Sequence, residues 1–240
     1  MTLAIIAAMA PEAAQLQAAL ADREEIHHGH HSFHQGRLAG VPVVLSQCGI
    51  GKVHAAIATT LLIQRWAPTL VINTGSAGGL APGQRQGDIV IAAETAHHDV
   101  DVGAFGYAKG QLPACPPRFA ADPEAVALAA ELAGPVSAAL GGRCEAPGLI
   151  VSGDQFIHDP ADVARIRRDF PEARALEMEA AAIAQTCQRL QTPWLVIRAL
   201  SDLADGGAAL SFDEFLPLAS QHSAELVQAL VAAWTRRRAV

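Results

Sequence analysis

The sequence predicts an α/β fold with a mixed, mainly parallel central sheet covered by helices. Three observations carry this. Half the 240 residues are apolar, and Ala, Val, Leu and Ile far outnumber the aromatics, as suits helices packed on a buried sheet. Short apolar runs bounded by turn residues alternate with Ala/Leu/Gln/Arg-rich stretches of helical length. The segment "HSFHQGRLAGVPVVLSQ" reads as an antiparallel hairpin turning near Ala39-Gly40, which makes the sheet mixed. The length suits one domain over 1–240.

In chain order, strands are expected at "LAIIAA" (3–8), "VPVVLSQ" (41–47), "TLVINTG" (69–75), "GDIVIAAE" (87–94), "GLIVSGD" (148–154) and "WLVIRALSD" (194–202). Helices are expected over 11–22, 50–66, 122–140, 160–170, 178–190 and 211–238. Ser211 and Glu214 have the S-x-x-E spacing of a capping box opening the last of these. The Pro/Gly-rich stretch 103–118 reads as one long loop between a strand and a helix.

Composition excludes several function classes. With a formal net charge of -7 and no basic run except Arg236 to Arg238, no electrostatic footprint for nucleic acid is present. Met1 to Ala8 lacks a basic segment and reads as a first strand, not a signal peptide. No apolar stretch reaches the ~20 residues of a spanning helix. A soluble, cytoplasmic protein without a membrane partner is the expectation. Cys48, Cys115, Cys144 and Cys187 are scattered without a CxxC pair, so buried reduced thiols are expected. "HHGHHSFH" (27–34) holds five His in eight residues, but lacks the H-E-x-x-H spacing and any tie to the acidic residues. It reads as an exposed hairpin, and no metal is expected.

In open α/β sheets the ligand crevice lies beyond the carboxyl ends of the strands. The polar residues just after each apolar run are therefore the candidates: Glu12, then Ser76 and Gly78 in "TGSAGGL", "SGDQFI", "LEME", and Ser201-Asp202. Singly, each has a bland explanation: Glu12 suits a helix's first turn, and Asp202 suits a cap. Glu177 and Glu179 resist that explanation. Strand periodicity puts both on one face with Met178 pointing away, and like charges so close cost energy, one of them to be offset by Arg198 on a neighbouring strand. "TGSAGGL" lacks both the Walker A Lys-Ser/Thr and the G-x-G-x-x-G spacing, so its glycines suit a close backbone approach or a tight turn. Phe105 and Tyr107, in the long loop, suit stacking on a planar ligand, and equally the covering of a hydrophobic core or a subunit contact.

Taken together, "IIAAMAPE", "SQCGIGKVHAA", "VINTGSAGGLAP", "HDVDVGAFGYAKGQLPACP", "LIVSGDQFI", "FPEARALEMEAAAIA" and "IRALSDLAD" followed by "LSFDEF" make the chain resemble the 5'-methylthioadenosine/S-adenosylhomocysteine nucleosidases, within the nucleoside phosphorylase/nucleosidase superfamily. The resemblance runs almost end to end. It implies a three-layer α/β/α fold, a homodimer, and hydrolysis of the bond between adenine and a 5'-thio-substituted ribose by water, with no cofactor.

By the same resemblance, Glu12 activates water, Asp202 is the acid acting at adenine N7, and Glu179 binds the ribose hydroxyls beside the Met178 backbone. Ser76 and Gly78 lie near ribose and water. Phe156 stacks on the base and the Ile157 backbone reads its edge. Met9 and Phe212 line the ribose and 5' pockets, and Ser201 precedes the acid. Phe105, Tyr107 and Pro113 match a dimer-contact segment that completes the alkylthio pocket of the neighbouring subunit. Glu177 and Arg198 match as a water-side or supporting pair. Departures are Ala10-Pro11 in place of the usual acidic pair, the His-rich hairpin, and the small residues "GGAAL" (206–210) in a segment expected to act as a flap.

The chemistry explains the residue types. Cleaving a ribose–adenine bond leaves positive charge on the sugar and negative charge on the base, an oxocarbenium-like course. One carboxyl must deliver a proton while another must be ionised to take one from water. Other readings stay open in the sequence: a phosphorylase, a nucleosidase preferring 5'-deoxyadenosine or aminofutalosine, and a non-catalytic nucleoside-binding protein.

Overall fold

The computed structural model describes residues 2–204 and 208–237. Among them, ten strands form one mixed sheet. The elements are β1 (Leu3–Ala7), α1 (Ala10–Ala19), β2 (Ala21–His28), β3 (His31–Leu38), β4 (Val41–Gln47), α2 (Lys52–Trp66), β5 (Leu70–Gly79), β6 (Ile89–His97), β7 (Phe119–Ala120), α3 (Pro123–Ala139), β8 (Gly148–Ser152), α4 (Pro160–Asp169), β9 (Ala173–Glu177), α5 (Ala180–Arg189), β10 (Trp194–Asp202) and α6 (Ala208–Arg237).

β1 is fully buried and runs parallel to β4 on one side and β5 on the other. Its alternate side chains serve two cores, as the period of two requires. Leu3, Ile5 and Ala7 face α1, α3 and α6 through Leu16, Leu128 and Val227. Ala4, Ile6 and Ala8 face α2 and α5 through Ala58, Leu62 and Ile183. A third cluster seats Val163 and Ile166 of α4 against Leu149 and Val151 of β8. Helices thus cover both faces, giving the three layers expected. Each fully buried Leu or Ile contributes about 1.5–3 kcal/mol.

Several local features depart from the sequence expectations. The first helix stops at Ala19, and Ala21–His28 is an edge strand paired with β3. Its side chains are nearly all exposed, so neither face carries the apolar alternation that marks a strand. The His-rich segment forms the expected hairpin across Gly29-His30, but His34 is buried and bonded to Gln17. The last helix begins at Ala208, so Ser211 lies inside it, not at its cap. Residues 206–207 of the expected flap lie outside the described residues. Cys48, Cys115 and Cys187 are buried free thiols, and Cys144 is half-buried.

The sheet is less open than expected. β5 pairs with β10, β10 with β6, β6 with β8, β8 with β9, and β9 returns to β5 at Gly78 and Gly79. β5 is long enough to pair with β1 along its first part, with β10 along most of its length, and to meet β9 with its last two residues, both glycines, which let another backbone approach closely. The carboxyl ends of β1, β5, β8, β9 and β10 consequently surround one space.

Candidate active site

Glu12 sits in the first turn of α1, after Met9 at the cap and Ala10-Pro11, so the proline occupies a position that needs no amide donor. Its carboxylate turns back on the chain. Oε2 accepts from the amides of Ala8 (3.1 Å) and Met9 (3.0 Å), and Oε1 from the Ser76 amide (2.7 Å) and hydroxyl (2.8 Å). Four donors around a 2% exposed carboxyl group fit the ionised, acceptor-only form. Gly75 makes this approach possible. Its φ is +149°, and a Cβ there would stand 2.6 Å from Glu12 Oε1 and 2.4 Å from Arg198 Nη1.

Glu177 and Glu179 do not share a strand face. β9 ends at Glu177, and Glu179 is the capping residue of α5, with non-strand dihedrals. Met178 between them lines the same cavity instead of pointing away. The acids nevertheless meet, because the turn swings Glu179 back toward Arg198.

Arg198 is completely buried and carries the only charge sign that can reconcile these acids. It contacts Glu177 directly and lies 3.5 Å from Glu179. Its fork is held by the Thr74 carbonyl (2.9 Å) and by Asn73 Oδ1 (2.7 Å), while Asn73 Nδ2 donates to the Ile6 carbonyl. Glu177 also accepts from the Ser152 hydroxyl and from the Glu179 and Ala180 amides. It is thus saturated, whereas Glu179 accepts one amide, that of Gly51 at the start of α2 (2.9 Å). Burial and the neighbouring Glu177 push the Glu179 carboxyl up to about 8, against the pull of Arg198 and the Gly51 amide.

Asp202, at the end of β10, is also buried. It accepts from the Ser201 hydroxyl (2.9 Å) and the Ala204 amide (2.8 Å).

Glu12, Ser76, Gly78, Glu177, Met178, Glu179, Ser201 and Asp202 line one cavity of about 330 Å³, with Met9, Phe156, Ile157 and Phe212 as its apolar walls. The Phe156 ring is 45% exposed and meets Phe212 edge-on at 5.7 Å. Five described residues not singled out from sequence also line it, among them the β-branched Ile50 and the polar Gln155. Both belong to quoted motifs, "CGIGK" and "SGDQF", but neither residue type announces chemistry. Arg198 is set behind the cavity wall and supports Glu177 and Glu179 from there. Phe105, Tyr107 and Pro113 do not line the cavity; Phe105 and Pro113 are exposed and Tyr107 is half-buried.

Comparison with known proteins shows which family shares this sequence and fold. The family model described as the phosphorylase superfamily matches residues 2–232. A 5'-methylthioadenosine/S-adenosylhomocysteine nucleosidase of Anoxybacillus flavithermus is 52% identical, over 96% of this chain and 98% of that protein. Among solved structures, the Neisseria meningitidis 5'-methylthioadenosine/S-adenosylhomocysteine nucleosidase in complex with methylthio-immucillin-A superposes with a TM-score of 0.93 at 50% identity, covering 97% of this chain and 99% of that one. A futalosine hydrolase of Helicobacter pylori is more distant, with a TM-score of 0.88 at 32% identity, covering 97% and 98% of the two chains. With half of its residues shared over nearly the whole length of such relatives, this chain belongs to the 5'-methylthioadenosine/S-adenosylhomocysteine nucleosidase family of the phosphorylase superfamily.

Proposed function

We propose that the protein hydrolyses the N-glycosidic bond of 5'-methylthioadenosine and of S-adenosylhomocysteine, releasing adenine with 5-methylthioribose or S-ribosylhomocysteine. It thereby serves methionine salvage and the recycling of methyl-transfer products. The observation that carries this reading is one apolar-walled cavity holding three buried acids in three different hydrogen-bond environments: Glu12 with four donors, Glu179 with one amide beside a cation, and Asp202 at a strand end.

Glu12 takes a proton from the attacking water. Of its four donors, three are backbone amides fixed in place, and only the Ser76 hydroxyl can turn away and free a lone pair of Glu12 Oε1 for the water proton. The same anion favours positive charge developing on the sugar. Glu179 accepts from the ribose hydroxyls and orients the ring. Asp202 passes a proton to adenine N7, so that the base leaves neutral. Phe156 offers a face for the base, the Ile157 backbone its edge contacts, and Met9, Ile50 and Phe212 an apolar wall for the sugar and its 5' substituent.

Phosphate is a poor nucleophile for this site. It would enter beside Glu12, and anions so close in a buried space repel. The reading therefore needs water alone, with no metal or cofactor. Residues 1–240 act as one catalytic domain.

The functional unit we propose is a cytoplasmic homodimer. Ile50, Val53 and Ile57 are exposed at the start and along one face of α2, and Phe105 is 81% exposed. Apolar side chains grouped like this suit a subunit contact. Phe105, Tyr107 and Pro113 then close the 5' pocket of the neighbouring protomer. No described helix is long and apolar enough to cross a membrane.

The test is adenine release from each nucleoside in phosphate-free buffer with a chelator, then with phosphate added. Release without phosphate supports the hydrolase; release only with phosphate overturns it in favour of phosphorolysis. Sedimentation at micromolar protein showing only a 25 kDa species would contradict the dimer.

A further inference from the structure

Lys52, Asp99 and Asp154 stand outside the cavity, on three segments far apart in sequence, and the mechanism above uses none of them. They nevertheless form a closed set of hydrogen bonds. Lys52 Nζ donates to both oxygens of Asp99, at 2.7 and 2.8 Å. Asp99 Oδ2 accepts from the Asp154 amide at 3.0 Å. Asp154 Oδ1 in turn accepts from the Lys52 amide at 2.8 Å.

Each corner is tied to the site. Lys52 opens α2, and its predecessor Gly51, which has no side chain to cap the helix, gives its amide to Glu179. Two carboxylates from other segments thus satisfy neighbouring amides at this helix end: Asp154 takes that of Lys52, and Glu179 that of Gly51. Gly51 has φ +101°, and a Cβ there would meet Asp154 Oδ1 at 3.1 Å, so the acid is packed tightly on the turn. Asp154 directly precedes Gln155, Phe156 and Ile157, which line the cavity. Asp99 follows the end of β6, where the His98 amide is bonded to the Ser152 carbonyl. The Lys52 and Asp99 side chains are each only 19% exposed, so water screens their pairing less than at an open surface.

We propose that Lys52, Asp99 and Asp154 are positioning residues for the nucleosidase reaction: their clamp fixes the start of α2 so that the Gly51 amide meets Glu179, and holds the base-facing segment 155–157 to the same point. The inference rests on the nucleosidase reading. Without the clamp, the first turn of α2 loses its cap from Asp154 or the brace on it, and the Gly51 amide is no longer held at hydrogen-bond distance. Glu179 is then left facing Glu177, Glu12, Arg198 and the Cys48 thiol without the neutral donor that favours its ionised form.

The test is direct binding of the 7-deaza analogue of 5'-methylthioadenosine, which lacks the nitrogen that must be protonated, across a pH series. Wild type, Lys52→Met, Asp99→Asn, Asp154→Ala and Asp154→Asn are compared, with Tm recorded for each. Lys52→Met and Asp154→Ala should weaken binding by about tenfold, the scale of one charge-assisted hydrogen bond. They should also move the pH midpoint of binding upward. Asp99→Asn should shift both in the same direction, and Asp154→Asn, which keeps an oxygen for the Lys52 amide, should recover most of the affinity lost in Asp154→Ala. A drop in Tm with wild-type affinity and midpoint makes the clamp structural only and overturns the inference, as does no change at all. Wild-type protein that neither binds the analogue nor releases adenine overturns the nucleosidase reading and this inference with it.

Discussion

Arg198 Nη2 lies 3.5 Å from Glu179 while contacting Glu177, so one buried guanidinium serves two carboxylates in the wall of the site. Removing the cation leaves Glu177, and above about pH 8 Glu179 as well, without a counter-charge in a desolvated place. Arg198→Met should cost about 3–5 kcal/mol in urea denaturation, the penalty of an uncompensated buried charge. Arg198→Lys should fall between, because an ammonium restores charge but cannot reach Thr74, Asn73 and Glu177 together as the fork does. A loss below about 1 kcal/mol for the Met variant would mean that Glu177 also takes up a proton in place of the cation.

The raised Glu179 carboxyl gives nucleoside binding a pH dependence. Its ordinary value is 4.5, and burial with repulsion from Glu177 pushes it up to about 8. Accepting two ribose hydroxyls needs the anion, so binding below about 8 should release a proton, and affinity should rise with pH and level off above that value. For the empty protein the sign reverses: the folded state holds this proton where the unfolded chain does not, so its contribution is full below 4.5 and is lost as pH rises through about 8. Calorimetry in two buffers of different ionisation enthalpy measures the released proton. Identical heats and a flat affinity from about pH 6 to about pH 9 would rule the linkage out.

Glu12→Gln and Asp202→Asn should both abolish most turnover, by about 10²–10⁴-fold for a lost proton-transfer group, yet differ in stability. The Gln NH2 must face either the Ala8 and Met9 amides or the Ser76 amide, setting donor against donor. That should cost about 1–3 kcal/mol. Asn at 202 keeps an oxygen for the Ala204 amide, and the Ser201 hydroxyl can turn to accept from its NH2. Its melting temperature should stay near wild type. Either variant retaining most of its rate would remove that residue from the mechanism.

Gly75→Ala should damage stability and rate together. The new Cβ would overlap Arg198 Nη1 and Glu12 Oε1, and its φ of +149° disfavours any side chain. A strain of about 1–3 kcal/mol is expected, with loss of kcat, since the atoms displaced are those of the base and its supporting cation. A fully active, equally stable variant would show that the backbone relaxes there without moving Glu12.

The places where sequence and structure part have physical causes. Ala21–His28 carries Asp22, Arg23, Glu24 and Glu25 on an edge with both faces in water, so nothing in its pattern separates a strand from the end of a helix. The alternation that set Glu177 and Glu179 on one face fails because β9 stops between them, and where a strand stops depends on its partners β8 and β5. Ile50 and Gln155 carry no chemical mark, and only the fold brings them to the cavity wall.

The sequence by itself determined the class of fold and the strand ends on which the acids stand, because apolar periodicity and the polar residues that interrupt it are local properties of the chain; it was the family resemblance that singled out Glu12, Glu179 and Asp202 among them. Tertiary structure alone decided the closure of the sheet through β9, the sharing of Arg198 between two acids, and the meeting of Lys52, Asp99 and Asp154. These rest on hydrogen bonds between residues 21 to 102 positions apart, and such pairings are set by how layers pack, which no local pattern encodes.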